Sequence, residues 1–394
     1  MVHSGLDCFL QSVPPPLRGK RVGVLCHQAS ITSGLEHILD ACARHPAVHV
    51  AAVFGPQHGL YGQTQANMIE WEGGYLHPLL KVPVFSLYGR HRRPTPQMLE
   101  GLDAIIVDLC DVGARLYTYA WTVKHCMEAC AASGIPLVVL DRPNPIAALG
   151  FDGPLLAPDH FSFVGAAGIP MCHRMTLGEL ARFCALEQGL DLDLHVVPLR
   201  GWQRDSLWSE TGLPWVLPSP NIPTPGTTLV YPGTVLLEGT NVSEGRGTTR
   251  PFEFFGAPWL DCAAFRACME RRPRAGWVLR EHGFVPVFDK HAGTFCCGFE
   301  LLVTDPRGFA PVTVGAFLCD ALLRSCNGAF AFLPPPYEYE REKPPFDILA
   351  GDPSLRCAIE RGEVADDIGL RWARAYGPFL ERFHSCALYP EHLP

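Results

Sequence analysis

The feature that most constrains the fold is a regular alternation of short apolar runs and helix-like segments in the first half of the sequence. The apolar runs are rich in Val and Ile and cover residues 21–26, 48–54, 82–87, 104–109 and 136–140. The helix-like segments cover residues 33–44, 95–101, 118–132 and 176–188, and Ser33 with Glu36 has the spacing of a capping box. Near-continuous apolar strands that alternate with helices are typical of a parallel sheet covered on both faces. The pattern therefore predicts an α/β fold with a doubly wound parallel sheet.

Polar side chains follow every one of these predicted strands. The candidate site residues among them are Gln57, His58, Tyr88, Asp111, Arg115, Asp141 and Asn144. In open α/β sheets, ligands gather beyond the carboxyl ends of the strands, so these side chains are expected to face a common site. Each also has a structural alternative. Asp141 and Asn144, for example, favour the turn that their own segment would form.

A second candidate region is the stretch 238–259, which reads EGTNVSEGRGTTRPFEFFGAPW. It combines the carboxylates Glu238 and Glu244 with Arg246 and Arg250, and four glycines lie among them. Its first half shows no helical or strand periodicity, so covering a core does not explain it. Glycine allows close approach of the backbone to a ligand, and carboxylates beside guanidinium groups suit a polyhydroxylated or anionic substrate. The alternative is a charged surface loop.

The composition excludes several classes of protein. At 394 residues the chain is long enough for two domains, and a net charge of −8 argues against a nucleic-acid-binding protein. The sequence begins without a recognisable signal peptide and has no apolar run long enough to cross a membrane. The 16 cysteines include no CxxC pair, so reduced thiols and a cytoplasmic location are expected.

The common cofactor motifs are absent as well. The first predicted strand is not followed by GxGxxG, and the chain contains neither GxxxxGK[ST] nor HExxH. These absences argue against a dinucleotide, a P-loop nucleotide site and a zinc protease site. We therefore expect no cofactor and no metal.

A series of longer motifs carries a family resemblance. In chain order they are FGPQHG (54–59), SLYG (86–89), DVGARLYTY (111–119), LDRPNP (140–145), MTLGELA (175–181), PSPNIPT (218–224), the stretch 229–259, and PPYEYEREKPPFDIL (335–349). Together they resemble the DUF1343 family, whose characterised members are exo-acting β-N-acetylmuramidases of the NamZ type. The resemblance covers the chain from about residue 21 to its end.

The resemblance implies a Rossmann-like domain over residues 1–225 and a smaller C-terminal α/β domain over residues 226–394, with the site in the cleft between them. It also implies release of N-acetylmuramic acid from the non-reducing end of peptidoglycan fragments, as in cell-wall recycling. That sugar carries a lactyl carboxylate, which suits an arginine, and an N-acetyl group, which suits an amide or aromatic partner. The expected substrate-binding residues are Gln57, Tyr88, Asp111, Arg115, Tyr117, Asp141, Asn144, Asn221, Glu238, Asn241, Arg246 and Arg250.

The chain departs from the family at one position that matters for catalysis. The characterised muramidases carry a glutamate in GPEHG, proposed as catalytic, where this chain has Gln57. Glutamine neither donates an acid proton nor acts as a carboxylate base. Glycoside hydrolysis normally needs two carboxyl groups. We therefore expect Glu244 and Glu70 to form the catalytic pair, with His58 assisting.

Three alternatives stay open at this point. Substrate-assisted catalysis through the N-acetyl group needs only one carboxyl group. A non-hydrolytic protein that binds muramyl sugars is a second reading, with Gln57 marking lost catalysis. A hydrolase of another 2-acetamido sugar is the third. A small saccharide is the expected partner in all of them, and the sequence leaves the oligomeric state open.

Overall fold

A mostly parallel sheet of seven strands forms the first half of the computed structural model, which describes residues 1–65 and 68–390. Its strands are β1 (Lys20–Cys26), β2 (Val48–Gly55), β3 (Tyr75–Leu76), β4 (Pro83–Ser86), β5 (Ala104–Asp108), β6 (Leu137–Leu140) and β7 (Leu194–Val197). The strand order is β3-β4-β2-β1-β5-β6-β7, and only β3 pairs antiparallel. The six parallel strands thus follow the Rossmann order 3-2-1-4-5-6. The predicted doubly wound sheet is confirmed, and its order reverses between β1 and β5.

Helices connect the strands and cover both faces of this sheet. They are α1 (Gly5–Gln11), α2 (Ile38–Arg44), α3 (Pro96–Leu99), α4 (Tyr119–Ser133), α5 (Leu177–Gln188) and α6 (Trp208–Thr211). Thr95 and Thr176 accept hydrogen bonds from the first turns of α3 and α5, as N-cap residues do. The capping box predicted at Ser33 is wrong. The backbone N and the Oγ of Ser33 donate to Asp7 Oδ1, and α2 begins only at Ile38.

The second half is a smaller α/β unit around an antiparallel sheet. Its strands are β8 (Phe254–Ala257), β9 (Trp277–Phe284) and β10 (Cys296–Val303), in the order β8-β10-β9. Its helices are α7 (Pro225–Thr234), α8 (Cys262–Met269), α9 (Pro311–Arg324), α10 (Pro345–Ala350), α11 (Ser354–Arg361), α12 (Ile368–Ala373) and α13 (Gly377–Cys386). Short 3₁₀ turns lie at Pro15–Leu17, Ala147–Leu149, Pro158–His160, Val235–Gly239 and Pro306–Gly308.

The two halves share one apolar core. Trp121 of α4, Val230 of α7 and Phe317 of α9 belong to the same buried cluster. The chain also returns to the first sheet at its end, where α13 packs against α5. These contacts hold the loops of the second half over the carboxyl ends of the parallel strands. Within residues 1–65 and 68–390, no helix is long and apolar enough to cross a membrane.

Candidate active site

The carboxyl ends of the parallel strands and several segments of the second half enclose a polar cavity. Its polar or aromatic lining residues are Gln57, His58, Tyr117, Thr118, Ser219, Asn221, Tyr231, Glu238, Arg246, Phe252, Tyr337 and Glu338. The cavity has about 30 Å³ of free space. That volume accommodates roughly two ordered waters.

His58 enters this cavity from the turn that follows β2. Its backbone is in the left-handed region, at φ 69°, and its Nδ1 donates to the carbonyl oxygen of Thr64 at 2.8 Å. Since a carbonyl only accepts, Nδ1 carries the proton and Nε2 is left as an acceptor. Burial lowers the pKa of His58 to about 4. At neutral pH the ring is therefore uncharged and presents Nε2 as a hydrogen-bond acceptor.

Gln57, the residue before His58, is held in one orientation by its hydrogen bonds. Its Oε1 accepts from Thr118 Oγ1 at 2.6 Å, which directs the Nε2 amide group toward Glu338 Oε1 at 3.4 Å. An amide whose oxygen already accepts from a hydroxyl presents only N–H groups on its other side. Gln57 therefore acts as a hydrogen-bond donor to the Glu338 carboxyl.

Glu338 reaches the cavity from the tip of a two-residue turn in the second half. Tyr337 and Glu340 exchange both backbone hydrogen bonds at 2.9 Å, and the two residues between them, Glu338 and Tyr339, have φ of 43° and 71°. Turns with two left-handed residues normally use Asn or Gly at these positions. Side chains other than Gly are strained there, and such strain is concentrated at functional sites. The turn therefore contains two strained residues, and the first of them places the Glu338 carboxyl in the cavity.

The surroundings of Glu338 raise its pKa above the ordinary value for a glutamate. Its Oε2 accepts from Tyr88 OH at 3.0 Å, and its Oε1 faces Gln57. Burial raises the pKa of Glu338 to about 7, the bond from Tyr88 opposes that rise, and the nearby Glu238 adds to it. A carboxyl group with this pKa carries a proton for part of the time at neutral pH. It is suited to general acid catalysis.

A chain of alternating charges forms the opposite wall. Arg246 Nη2 donates to Glu238 Oε1 at 2.6 Å, and its Nε lies 3.2 Å from Glu244 Oε1. Lys290 Nζ donates to Glu244 Oε2 at 2.8 Å, and Tyr337 OH donates to Glu238 Oε2 at 2.6 Å. Arg246, Glu238 and Tyr337 also line an adjoining pocket with about 210 Å³ of free space. The wall between the two spaces is therefore built of paired charges.

The catalytic pair expected from the sequence, Glu244 and Glu70, does not line the cavity. Although burial alone would raise it, the pKa of Glu244 is lowered by Lys290 and Arg246, so Glu244 is an ionised structural partner. Glu70 is exposed and contacts Tyr339 OH at 3.0 Å and Arg92 at 3.4 Å, beside a separate cleft. One carboxylate thus neutralises neighbouring cations and the other is exposed outside the cavity, so the two do not line a common pocket and their pairing stays a prediction from the sequence.

Three further candidates from the strand ends bond to other segments of the chain and do not line the cavity. All four donors of the Arg115 Nη groups go to backbone carbonyls, those of Pro154, Ile169, Leu349 and Ala350. Asp141 accepts from Tyr389 OH at 2.6 Å and Thr176 Oγ1 at 2.7 Å. Asn144 bridges Met175 O and Ile146 N. These residues connect distant segments outside the cavity lining, and the binding roles expected for them stay predictions.

Asn241 and Arg250 also lie away from the cavity lining. Asn241 bonds the backbone of Ala329 and Ala331, and Arg250 is half-exposed in an ion pair with Glu253 at 2.7 Å. Both side chains fasten neighbouring loops, so the function proposed below assigns neither of them a contact with the substrate.

Asp111 lies near the cavity without lining it. It is buried, and its Oδ1 accepts from Gly113 N at 2.6 Å. Its Oδ2 has no hydrogen-bond partner within the described ranges. Burial raises its pKa to about 7.

The remaining candidates are brought together. Gln57, His58, Tyr117, Asn221, Glu238 and Arg246 line the cavity, and Tyr88 lies behind Glu338. Glu338 itself was missed, although the motif at residues 335–349 contains it. The available signal was a glutamate between two tyrosines in a motif that resembles the family. In the part of the chain that the structure describes, no cluster of His, Cys, Asp or Glu could hold a metal ion.

Comparison with known proteins identifies the family of this chain. Residues 22–226 match the N-terminal domain of exo-β-N-acetylmuramidase NamZ, and residues 229–389 match its C-terminal domain. The chain belongs to this family. It is 40% identical to the peptidoglycan β-N-acetylmuramidase NamZ of Bacillus subtilis (strain 168), over 97% of this chain and 89% of that protein.

Two solved structures of DUF1343 family proteins from Bacteroides fragilis have the same fold. The first superposes with a TM-score of 0.86 at 27% identity and covers 99% of both chains. The second superposes with a TM-score of 0.76 at 28% identity and covers both chains in full. The resemblance to the DUF1343 family and the predicted fold class are therefore confirmed.

Proposed function

We propose that this chain is an exo-acting β-N-acetylmuramidase that releases N-acetylmuramic acid from the non-reducing end of peptidoglycan fragments, with Glu338 as its proton donor. The relationship to the Bacillus subtilis enzyme supports the reaction. The observation that carries the assignment of Glu338 is its place in the cavity with a pKa of about 7. We further propose that the site occupies the cleft between residues 1–225 and 226–394.

In the first step, Glu338 protonates the glycosidic oxygen as the bond from C1 to the leaving sugar breaks. Tyr88 OH and Gln57 Nε2 donate to the two carboxyl oxygens, so they orient the group and stabilise the carboxylate that forms. The leaving saccharide takes up the proton and departs as an alcohol. In the second step, a water molecule loses a proton to the Glu338 carboxylate and forms the new bond to C1.

The substrate's own acetamido group is the second participant in this proposal. Glu238 is the other carboxylate in the cavity lining, and both of its oxygens already accept hydrogen bonds, from Arg246 and Tyr337. The acetamido oxygen therefore attacks C1 as the glycosidic bond breaks, and water later opens the resulting ring. The Nε2 acceptor of His58 suits the acetamido N–H. This mechanism needs one carboxyl group and retains the β configuration.

The test is release of N-acetylmuramic acid from the disaccharide in which it is linked to N-acetylglucosamine. We expect turnover by the natural protein, a loss of about 10²–10⁴-fold in Glu338→Gln, and little change in the matched control Glu70→Gln. The anomer formed first, followed by NMR, should be β. Binding of the disaccharide without turnover would make the protein a muramyl-sugar-binding protein, and an α product would refute the role of the acetamido group.

A further inference from the structure

Arg246 combines burial with an unused hydrogen-bond donor. Its side chain lines both the cavity and the adjoining pocket. Nη2 donates to Glu238, Nε lies beside Glu244, and the guanidinium group is 4.9 Å from the centre of the Phe252 ring. Nη1 is buried and has no acceptor among the described residues. Because an unsatisfied buried donor costs free energy, an unpaired Nη1 on a side chain that lines a cavity indicates an acceptor supplied by a ligand.

The other cation of this wall, Lys290, has no hydrogen-bond donor left for a ligand. Lys290 Nζ donates to Leu237 O, Val242 O and Glu244 Oε2 at 2.8, 2.9 and 2.8 Å. An ammonium group has three donors, so all of them are used. Of the two buried cations in this wall, Arg246 is therefore the one with a donor left for a substrate.

The charge of the wall permits an anion to bind there. Glu238 and Glu244 are balanced by Arg246 and Lys290, and the carboxyl of Glu338 is neutral when it carries its proton. An incoming carboxylate therefore meets no excess negative charge. It also gains a charge-assisted hydrogen bond from a guanidinium group that is itself buried.

We propose that Nη1 of Arg246 binds the lactyl carboxylate of the muramic-acid unit and thereby selects muramyl sugars over glucosaminyl sugars. This inference rests on the proposed function, and it makes Arg246 a specificity-determining residue. The proton donor Glu338 lines the same cavity. The geometry thus couples recognition of the lactyl group to placement of the scissile bond.

The test compares two substrates in three proteins. The substrates are the muramyl disaccharide and the same disaccharide with its lactyl carboxylate converted to the methyl ester. The proteins are the natural one, Arg246→Lys, and the control Arg250→Lys, which changes a half-exposed arginine of the same loop. We expect esterification to lower kcat/KM about ten- to hundredfold in the natural protein and in the control, as for loss of a hydrogen bond to a charged group. In Arg246→Lys, which retains charge for Glu238 but lacks the second amino group, the penalty should fall below about threefold.

An equal penalty in all three proteins would overturn the inference while leaving the proposed function intact. No turnover of either substrate by the natural protein would instead refute the proposed function. Arg246 is buried between two carboxylates, so its variant needs a check of folding by circular dichroism. A crystal structure of the natural protein with N-acetylmuramic acid bound requires no variant. It should place the lactyl carboxylate within about 3.2 Å of Nη1, and a carboxylate directed elsewhere would overturn the assignment.

Discussion

Replacing Glu338 by glutamine should stabilise the protein at alkaline pH while it removes activity. The pKa of Glu338 is about 7 in the folded protein, against an ordinary value of 4.5. Between these values the folded state keeps a proton that the unfolded state has lost. The free energy of unfolding therefore decreases as the pH rises from 4.5 to 7, and the full penalty is present above pH 7.

The magnitude follows from the pKa difference. At about 1.4 kcal/mol for each tenfold change in the equilibrium, ionising Glu338 costs about 3 kcal/mol at pH 8. The substituted amide would lose one contact, because its Nε2 would face the donor Nε2 of Gln57. A lost hydrogen bond of this kind costs about 1 kcal/mol. We therefore expect Glu338→Gln to be about 2 kcal/mol more stable than the natural protein at pH 8, with no gain at pH 5.

Urea unfolding at pH 5 and pH 8 measures this difference directly. The control is Glu70→Gln, which removes an exposed carboxylate and should change the free energy of unfolding by less than about 0.5 kcal/mol at either pH. A Glu338→Gln variant that is equally destabilised at both values would refute the reasoning. That result would mean that Glu338 is ionised and satisfied in the folded state, so it would also argue against Glu338 as the proton donor.

Three further predictions follow from the same contacts. On the muramyl disaccharide, kcat/KM should fall as the pH rises through about 7, because Glu338 must carry its proton. A decline centred more than one pH unit away from 7 would point to another acid. Gln57→Glu should move that decline to higher pH, because a second carboxyl 3.4 Å away raises the pKa of Glu338, and an unmoved pH profile would contradict their contact. Glu244→Gln should lower the free energy of unfolding by about 3 kcal/mol, since Lys290 and Arg246 lose a buried carboxylate. A loss below about 1 kcal/mol in urea unfolding would show that the ion pairs of Glu244 are dispensable for stability.

The sequence was sufficient for the sheet and for part of the cavity. Parallel strands end at one edge, so the polar residues after them converge, and Gln57 and His58 do meet there. The same local pattern, a polar residue shortly after a strand, also singled out Arg115 and Asp141, whose side chains bond to other segments and do not line the cavity. Their partners lie far away in the chain, such as Leu349 for Arg115 and Tyr389 for Asp141. A local pattern shows that a polar group follows a strand, but not which distant group satisfies it.

The replacement at position 57 is explained by its contact with Glu338. A glutamate at this position would put two carboxyl groups beside each other, and such a pair shares a proton because both do not ionise readily. Gln57 instead supplies a neutral donor to Glu338 Oε1, at 3.4 Å. The substitution therefore removes one titrating group and leaves Glu338 as the carboxyl with a pKa near neutrality in the cavity lining. On this argument the proton donor lies in the second half of the chain, and activity requires the turn at residues 337–340 to keep Glu338 in contact with Gln57 during proton transfer.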